Sequence, residues 1–211
     1  MKLSKDDLLL YAITDRGSLD KKVFFEKIEE ALQGGVTILQ LREKELDEDS
    51  FTDEAIEVKS LCRKYGVPLI INDNVNVALK SGADGVHVGI EDMPIDEIRR
   101  KTPDSFIIGA TCKTVEQAQS AERLGADYMG VGAVFPSPTK KNAVRITREQ
   151  LKEICSSVSI PAVAIGGITL ENAGELKGGG MSGIAVVSAV FSADDIQKAA
   201  SLLKEKAKSL I

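Results

Sequence analysis

Short apolar, β-branched runs recur along the chain at 8–13, 36–41, 68–71, 85–88, 106–110, 128–131, 161–165 and 183–187. Several lack the alternation of a half-exposed strand, which predicts parallel strands covered on both faces. Between them lie segments whose apolar positions repeat at helical spacing. Phe24, Ile28, Ala31 and Leu32 mark one face, Ala55, Val58, Leu61 and Cys62 a second. Val115, Ala118, Ala121, Arg123 and Leu124 mark a third, and Ile196, Ala199, Ala200 and Leu203 a last. Glycines at 34–35, 66, 82, 125 and 178–180 fall just after helical stretches, where a left-handed residue closes a helix. An internal echo supports one recurring unit: Gly82-Ala83-Asp84 precedes Val88-Gly89 as Gly125-Ala126-Asp127 precedes Val131-Gly132.

Eight strand–helix units predict a single (β/α)8 TIM barrel spanning residues 1–211, close to the short end for that fold. An open doubly wound sheet is the competing arrangement. It expects a glycine-rich first turn, and Thr14-Asp15-Arg16-Gly17 contains no GxGxxG.

Composition narrows the function more than the fold. With 27 basic and 32 acidic residues the net charge is −5, which argues against a nucleic-acid partner. No apolar run reaches the roughly 18 residues of a membrane span, and Asp6 and Asp7 spoil the start as a secretory signal. Cys62, Cys112 and Cys155 are far apart and form no CxxC, so neither disulfides nor zinc are expected and a reducing cytoplasm is. A single histidine, His87, leaves little material for imidazole acid–base chemistry.

A barrel gathers its chemistry at the carboxyl ends of its strands. Gln40, Arg42 and Lys44 follow strand 2 at period two, so an extended segment would point all three one way. Asn72 and Asp73 follow strand 3, either as a helix cap or as site residues. Asp92 follows strand 4, as a turn residue or as partner to Asp73; two carboxylates with water and phosphate oxygens suit Mg²⁺. Thr111 follows strand 5, and 136–141 (Pro-Ser-Pro-Thr-Lys-Lys) follows strand 6. Gly166-Gly167 and Val187-Ser188 end strands 7 and 8, where barrel loops often hold phosphate. His87 reads as a core or site-lining residue. Arg42, Lys44 and Lys140, with a cation on Asp73 and Asp92, would neutralise a diphosphate, and the glycines would hold a second, single phosphate. Two anionic ends facing each other suggest two substrates joined between them with pyrophosphate leaving.

These segments resemble the thiamine phosphate synthase family over nearly the whole chain. The marks are Gln40-Leu41-Arg42-Glu43-Lys44, Ile70-Ile71-Asn72-Asp73, Gly82 to His87, Gly125 to Tyr128, Pro136 to Lys140 and Ala164 to Ile168. The resemblance implies condensation of hydroxymethylpyrimidine pyrophosphate with a thiazole phosphate, assisted by Mg²⁺ and dissociative. It implies that Gln40, Leu41, Arg42, Glu43, Lys44, Asn72, Thr111 and Lys140 contact the pyrimidine substrate. Ser137, Pro138, Thr139, Gly167, Val187 and Ser188 would hold the thiazole phosphate, with Asp73 and Asp92 on the metal and Arg42, Lys44 and Lys140 as the catalytic cations. The expected partners are small molecules, with no nucleic acid or membrane and room for a homo-oligomer.

The chain departs from the family's usual residues at Ser137, Thr111 and Ile90. At Cys112-Lys113 many members have a histidine, the acid–base residue of the related thiazole tautomerases. Those tautomerases are the alternative function, and a non-catalytic phosphate sensor is a third.

Overall fold

The computed structural model describes residues 3–89, 91–136 and 145–211. Its eight strands are β1 (Leu10–Ile13), β2 (Ile38–Leu41), β3 (Leu69–Asn72), β4 (Gly85–Val88), β5 (Ile107–Cys112), β6 (Tyr128–Gly132), β7 (Ala162–Ile165) and β8 (Gly183–Val186). All pair in parallel with their sequence neighbours, and β8 returns to β1 with Tyr11 opposite Ala185, so the sheet closes. The helices are α1 (Lys21–Gln33), α2 (Glu48–Lys64), α3 (Val75–Ser81), α4 (Ile95–Lys101), α5 (Val115–Leu124), α6 (Arg148–Ser156), α7 (Ser188–Phe191) and α8 (Ile196–Lys208). The chain is thus one (β/α)8 barrel. Among the described residues no helix is long and apolar enough to cross a membrane.

Two differences from the expected pattern have physical causes. The first run starts as a 3-10 turn over Asp6–Leu8, because Leu8 is used as a fully buried plug against the barrel interior and not as a strand residue. Between β7 and β8 the link is a 3-10 turn, Ala173–Leu176, and two helices instead follow β8. That segment ends in Gly178-Gly179-Gly180, which weakens any helix there.

The non-alternating strands are explained by two cores. Side chains such as Tyr11, Ile38, Ile70, Ile107, Tyr128 and Val163 fill the barrel interior. Their neighbours, including Leu10, Leu39, Leu41, Ile71 and Val86, pack outward against the helices. Helix starts are fixed by side-chain caps: Asp20, Asp47, Asn74, Thr114 and Asp195 each accept from a first-turn N–H, and Thr147 with Gln150 forms a capping box on α6.

The Gly-Ala-Asp echo is a structural joint. Gly82 (φ 69°) and Gly125 (φ 98°) close α3 and α5 in left-handed conformation. Asp84 then accepts from Leu69 N at 2.7 Å and from Lys59 Nζ, while Asp127 accepts from Ile108 N at 2.8 Å and from Arg99 at 2.7 Å. Each aspartate ties the start of the preceding strand to a basic residue on a covering helix. Both joints sit at the amino ends of the strands, which leaves the opposite end for function.

Candidate active site

At the carboxyl ends of the strands a cavity of about 540 Å³ opens, a size suited to a small organic substrate. Gln40, Arg42, Asn72, Thr111, Gly167, Val187 and Ser188 all line it, together with His87 and Tyr11. Sequence reading thus placed seven site candidates around one space. Lys113 and Thr14 line it as well and were not among the site candidates. Both directly follow a strand, Lys113 after Cys112 of β5 and Thr14 after Ile13 of β1, which is the signal that could have found them.

The segment after β2 behaves differently from an extended strand. β2 stops at Leu41, and only Gln40 and Arg42 reach the cavity. Leu41 is fully buried in the layer under the helices, because the residue after an inward Gln40 must point outward. Glu43 is not a lining residue: its Oε1 lies 3.2 Å from Arg16 Nε, and the same guanidinium pairs with Glu54 of α2 and stacks over Phe24 at 4.6 Å. Burial pushes the Glu43 carboxyl up, and the charge of Arg16 opposes that shift. Lys44 is exposed and does not line the cavity.

Asp73 directly follows β3 and Asp92 lies in the turn after β4; both stand beside the cavity, and neither is among its lining residues. Asp73 takes φ 63°, a left-handed backbone that aspartate tolerates but seldom adopts without cause. Its N–H donates to His87 O at 2.9 Å, and its carboxylate accepts from Asn72 Nδ2 at 2.5 Å. Asp92 Oδ2 accepts from Gly89 N at 2.6 Å. The cap of α3 is Asn74, so Asn72 and Asp73 are not consumed as helix caps. Burial first, and then the neighbouring Asp92 carboxylate, push Asp73 above the usual carboxylate range; Asn72 and Arg42 pull the other way. Two carboxylates this close repel unless a proton or a cation lies with them. Among the described residues no cluster of three or more His, Cys, Asp or Glu forms, so the donor set is this pair. Mg²⁺, which keeps much of its water and often takes only one or two protein carboxylates, fits such a pair.

Across the mouth, Gly166 (φ 106°) and Gly167 (φ 63°) hold conformations that side chains disfavour. A Cβ on Gly167 would also collide with the carbonyl oxygen of Pro136 at the end of the β6 segment. Asn172 Nδ2 braces the turn from behind by donating to Gly167 O at 2.9 Å. Among the described residues the N–H groups of Gly167 and Ile168 donate to no acceptor, and Ser188 lies beside them on the cavity wall. Ser137, Pro138, Thr139 and Lys140 lie outside the described residues.

The floor is polar, and its side chains bond to one another. Gln40 Nε2 donates to Tyr11 Oη at 2.7 Å; Tyr11 Oη and Tyr128 Oη are 2.7 Å apart; Tyr128 Oη lies 3.1 Å from His87 Nδ1, and His87 Nε2 lies 3.0 Å from Thr111 Oγ1. Burial pushes His87 down to about 4, so its imidazole is neutral at physiological pH, and pushes both phenols up. A neutral, fully engaged imidazole is a poor candidate for the proton shuttle that a tautomerase would need. At the position where tautomerases carry histidine, Cys112 is buried and Lys113 faces the cavity.

A family model described as thiamine monophosphate synthase matches residues 10–190. The chain is 47% identical over 202 residues to a thiamine-phosphate synthase of Ruminiclostridium cellulolyticum, covering 96% of each. It is 48% identical over 205 residues to that of Methanobrevibacter smithii, covering 96% of this chain and 98% of the relative. The solved structure of a thiamine phosphate pyrophosphorylase from Pyrococcus furiosus superposes with a TM-score of 0.90 at 40% identity, covering 98% of both chains.

Proposed function

We infer the reaction from a fixed premise: the chain belongs to the thiamine monophosphate synthase family and is a transferase. Its substrates are hydroxymethylpyrimidine pyrophosphate and a hydroxyethylthiazole phosphate, and its products thiamine phosphate and pyrophosphate. The observation that carries this reading is the division of the cavity mouth. Arg42 and Asn72, backed by the Asp73–Asp92 carboxylate pair, occupy one side, and a glycine turn whose N–H groups meet no acceptor among the described residues occupies the other.

On the first side, Asp73 and Asp92 would hold Mg²⁺, which when bound supplies positive charge to the diphosphate. Arg42 offers a planar set of donors to the same group, and Asn72 orients Asp73 through its amide. Lys113 adds a cation to the wall. Lys140 from the loop after β6 would complete the clamp. On the second side, Gly167, Val187 and Ser188 would hold the thiazole phosphate through main-chain N–H groups and a hydroxyl. The C–O bond between the pyrimidine methylene and the diphosphate breaks, with its electron pair leaving on pyrophosphate. The thiazole nitrogen lone pair then forms the new C–N bond. Such a step asks for a stabilised leaving group and aligned reactants, and for no general base. That matches a site whose one imidazole is half-buried, bonded at both ring nitrogens and neutral. Three buried free thiols fit a cytoplasmic setting.

Pyrophosphate release, measured with each substrate alone and with both, with Mg²⁺ and with chelator, tests the reading. Release should require both substrates, and chelator should abolish it while leaving thiazole phosphate binding by calorimetry intact. Binding of both ligands without release would indicate a sensor. Turnover of a thiazole alone, insensitive to chelator, would indicate a tautomerase.

A further inference from the structure

The cavity floor carries a feature that the leaving-group chemistry does not use. Five side chains from five strands, Gln40, Tyr11, Tyr128, His87 and Thr111, form one unbroken chain of hydrogen bonds. Gln40 and Thr111 are its two ends, and both line the cavity. We propose that Tyr11, Tyr128 and His87 are positioning residues whose directed chain fixes Gln40 as an acceptor and Thr111 as a donor, so that the floor selects an aminopyrimidine by its ring amine and ring nitrogen. The identity of the ring rests on the reaction inferred above; the direction of the chain does not.

The direction follows from donor counting. Gln40 donates from Nε2 to Tyr11, so the amide oxygen is the atom left over, and among the described residues it accepts no hydrogen bond. Tyr11, having accepted, spends its single O–H on Tyr128. Tyr128 in turn spends its own on His87 Nδ1. With Nδ1 accepting from Tyr128, the ring proton sits on Nε2 and is donated to Thr111 Oγ1, which frees the threonine hydroxyl to donate into the cavity. Reversing the Gln40 amide would reverse every bond, giving a donor at Gln40 and an acceptor at Thr111. Either way the two ends have opposite polarity, because each hydroxyl between them has one proton to give. A flat ring with an exocyclic amine beside a ring nitrogen presents a donor and an acceptor on one edge, which is the complement of the forward direction.

The packing is built around this chain. Tyr11 and Tyr128 are almost fully buried, with ring centroids 5.8 Å apart, and His87 lies 5.5 Å from Tyr128. Gly109 leaves the space that Tyr128 and His87 occupy, and a Cβ on Gly130 would sit 3.2 Å from His87 Cε1. A buried run of hydroxyls is costly unless every member is engaged, and here every member is.

The only histidine in the chain makes the test direct. Long-range proton–nitrogen correlation on ¹⁵N-labelled wild-type protein at neutral pH should show one imidazole, protonated on Nε2 alone. A proton on Nδ1, or on both nitrogens, overturns the proposal. The second arm compares kcat/KM for the aminopyrimidine diphosphate and for the same diphosphate with hydrogen in place of the amine. Wild type should prefer the amine by roughly a hundredfold. Tyr128→Phe, which removes both the acceptor for Tyr11 and the donor to His87, should cut that preference about tenfold or more. Its KM for the thiazole phosphate should stay within about twofold of wild type. An unchanged preference with both substrates slowed alike would mean that Tyr128 only fills space, and overturns the proposal. Tyr11→Phe is the second variant should Tyr128→Phe not fold. Failure of the wild type to use either diphosphate would overturn the reaction and the ring assignment together, while the tautomer would still decide the chain's direction.

Discussion

On the rim formed by β2, β3 and β4 the polar atoms belong to side chains: the guanidinium of Arg42 and the amide of Asn72 line the cavity, and the carboxylates of Asp73 and Asp92 stand next to them, outside its lining. On the rim formed by β7 and β8 they belong chiefly to main chain, exposed by two glycines in left-handed conformation and joined by one serine hydroxyl. The contrast matches the two anions proposed. A diphosphate that must leave gains from charges that strengthen as negative charge builds on it. A phosphate that stays attached to its substrate needs only to be held, and neutral N–H groups do that without competing for the departing group. Each rim should therefore fail differently when damaged.

The largest effect is expected at Asp73. Asp73→Asn keeps the side chain's size and removes its charge, so turnover should fall by roughly a thousandfold. Thiazole phosphate binding, measured by calorimetry, should change by less than about twofold. Equal losses in both quantities would erase the distinction between the rims. Gly167→Ala is the converse experiment. The new methyl group meets φ 63° and the Pro136 carbonyl, so the turn must shift. The KM for thiazole phosphate should rise roughly thirtyfold, with that for the pyrimidine substrate nearly unchanged, and stability should drop by about 1–3 kcal/mol. A normal thiazole KM in a folded variant would remove the glycine turn from the phosphate seat.

The two rims also differed in how openly the sequence declared them. Polar and charged residues at or shortly after the ends of buried strands are conspicuous, and Arg42, Asn72, Asp73 and Asp92 were visible as candidates from residue type and position alone. Gly166-Gly167 became informative only once counted to the seventh strand, since a glycine pair is a turn anywhere else. Strand positions were legible because each element is apolar at the spacing its environment demands. Leu8 misled for the same reason, being apolar as a plug and not as a strand. The outward turn of Glu43 was hidden, because its partner Arg16 lies 27 residues away in sequence, is shared with Glu54, and only the closed barrel brings the three together. The tyrosines escaped notice as polar residues because an isolated tyrosine in an apolar run reads as bulk; their hydroxyls acquire meaning only from β1 and β6 facing each other inside the barrel.

The smallest effect concerns the floor beneath both rims, and it asks whether water reaches the imidazole there. His87 is depressed to about 4 in the fold by burial, against about 6.5 for an exposed imidazole. The unfolded chain therefore takes up a proton at higher pH than the native chain does. The associated stability is fully present above pH 6.5 and is lost progressively as pH falls toward 4. Between pH 7 and pH 5 the loss should be about 2 kcal/mol. His87→Asn lowers stability overall by breaking the chain to Tyr128 and Thr111, but it has no imidazole to titrate, so its denaturation midpoint should fall less steeply over that interval. Parallel slopes for the two proteins would mean that His87 accepts a proton while folded. Water would then reach the floor, and the two rims would share a solvated cavity in place of a preorganised one.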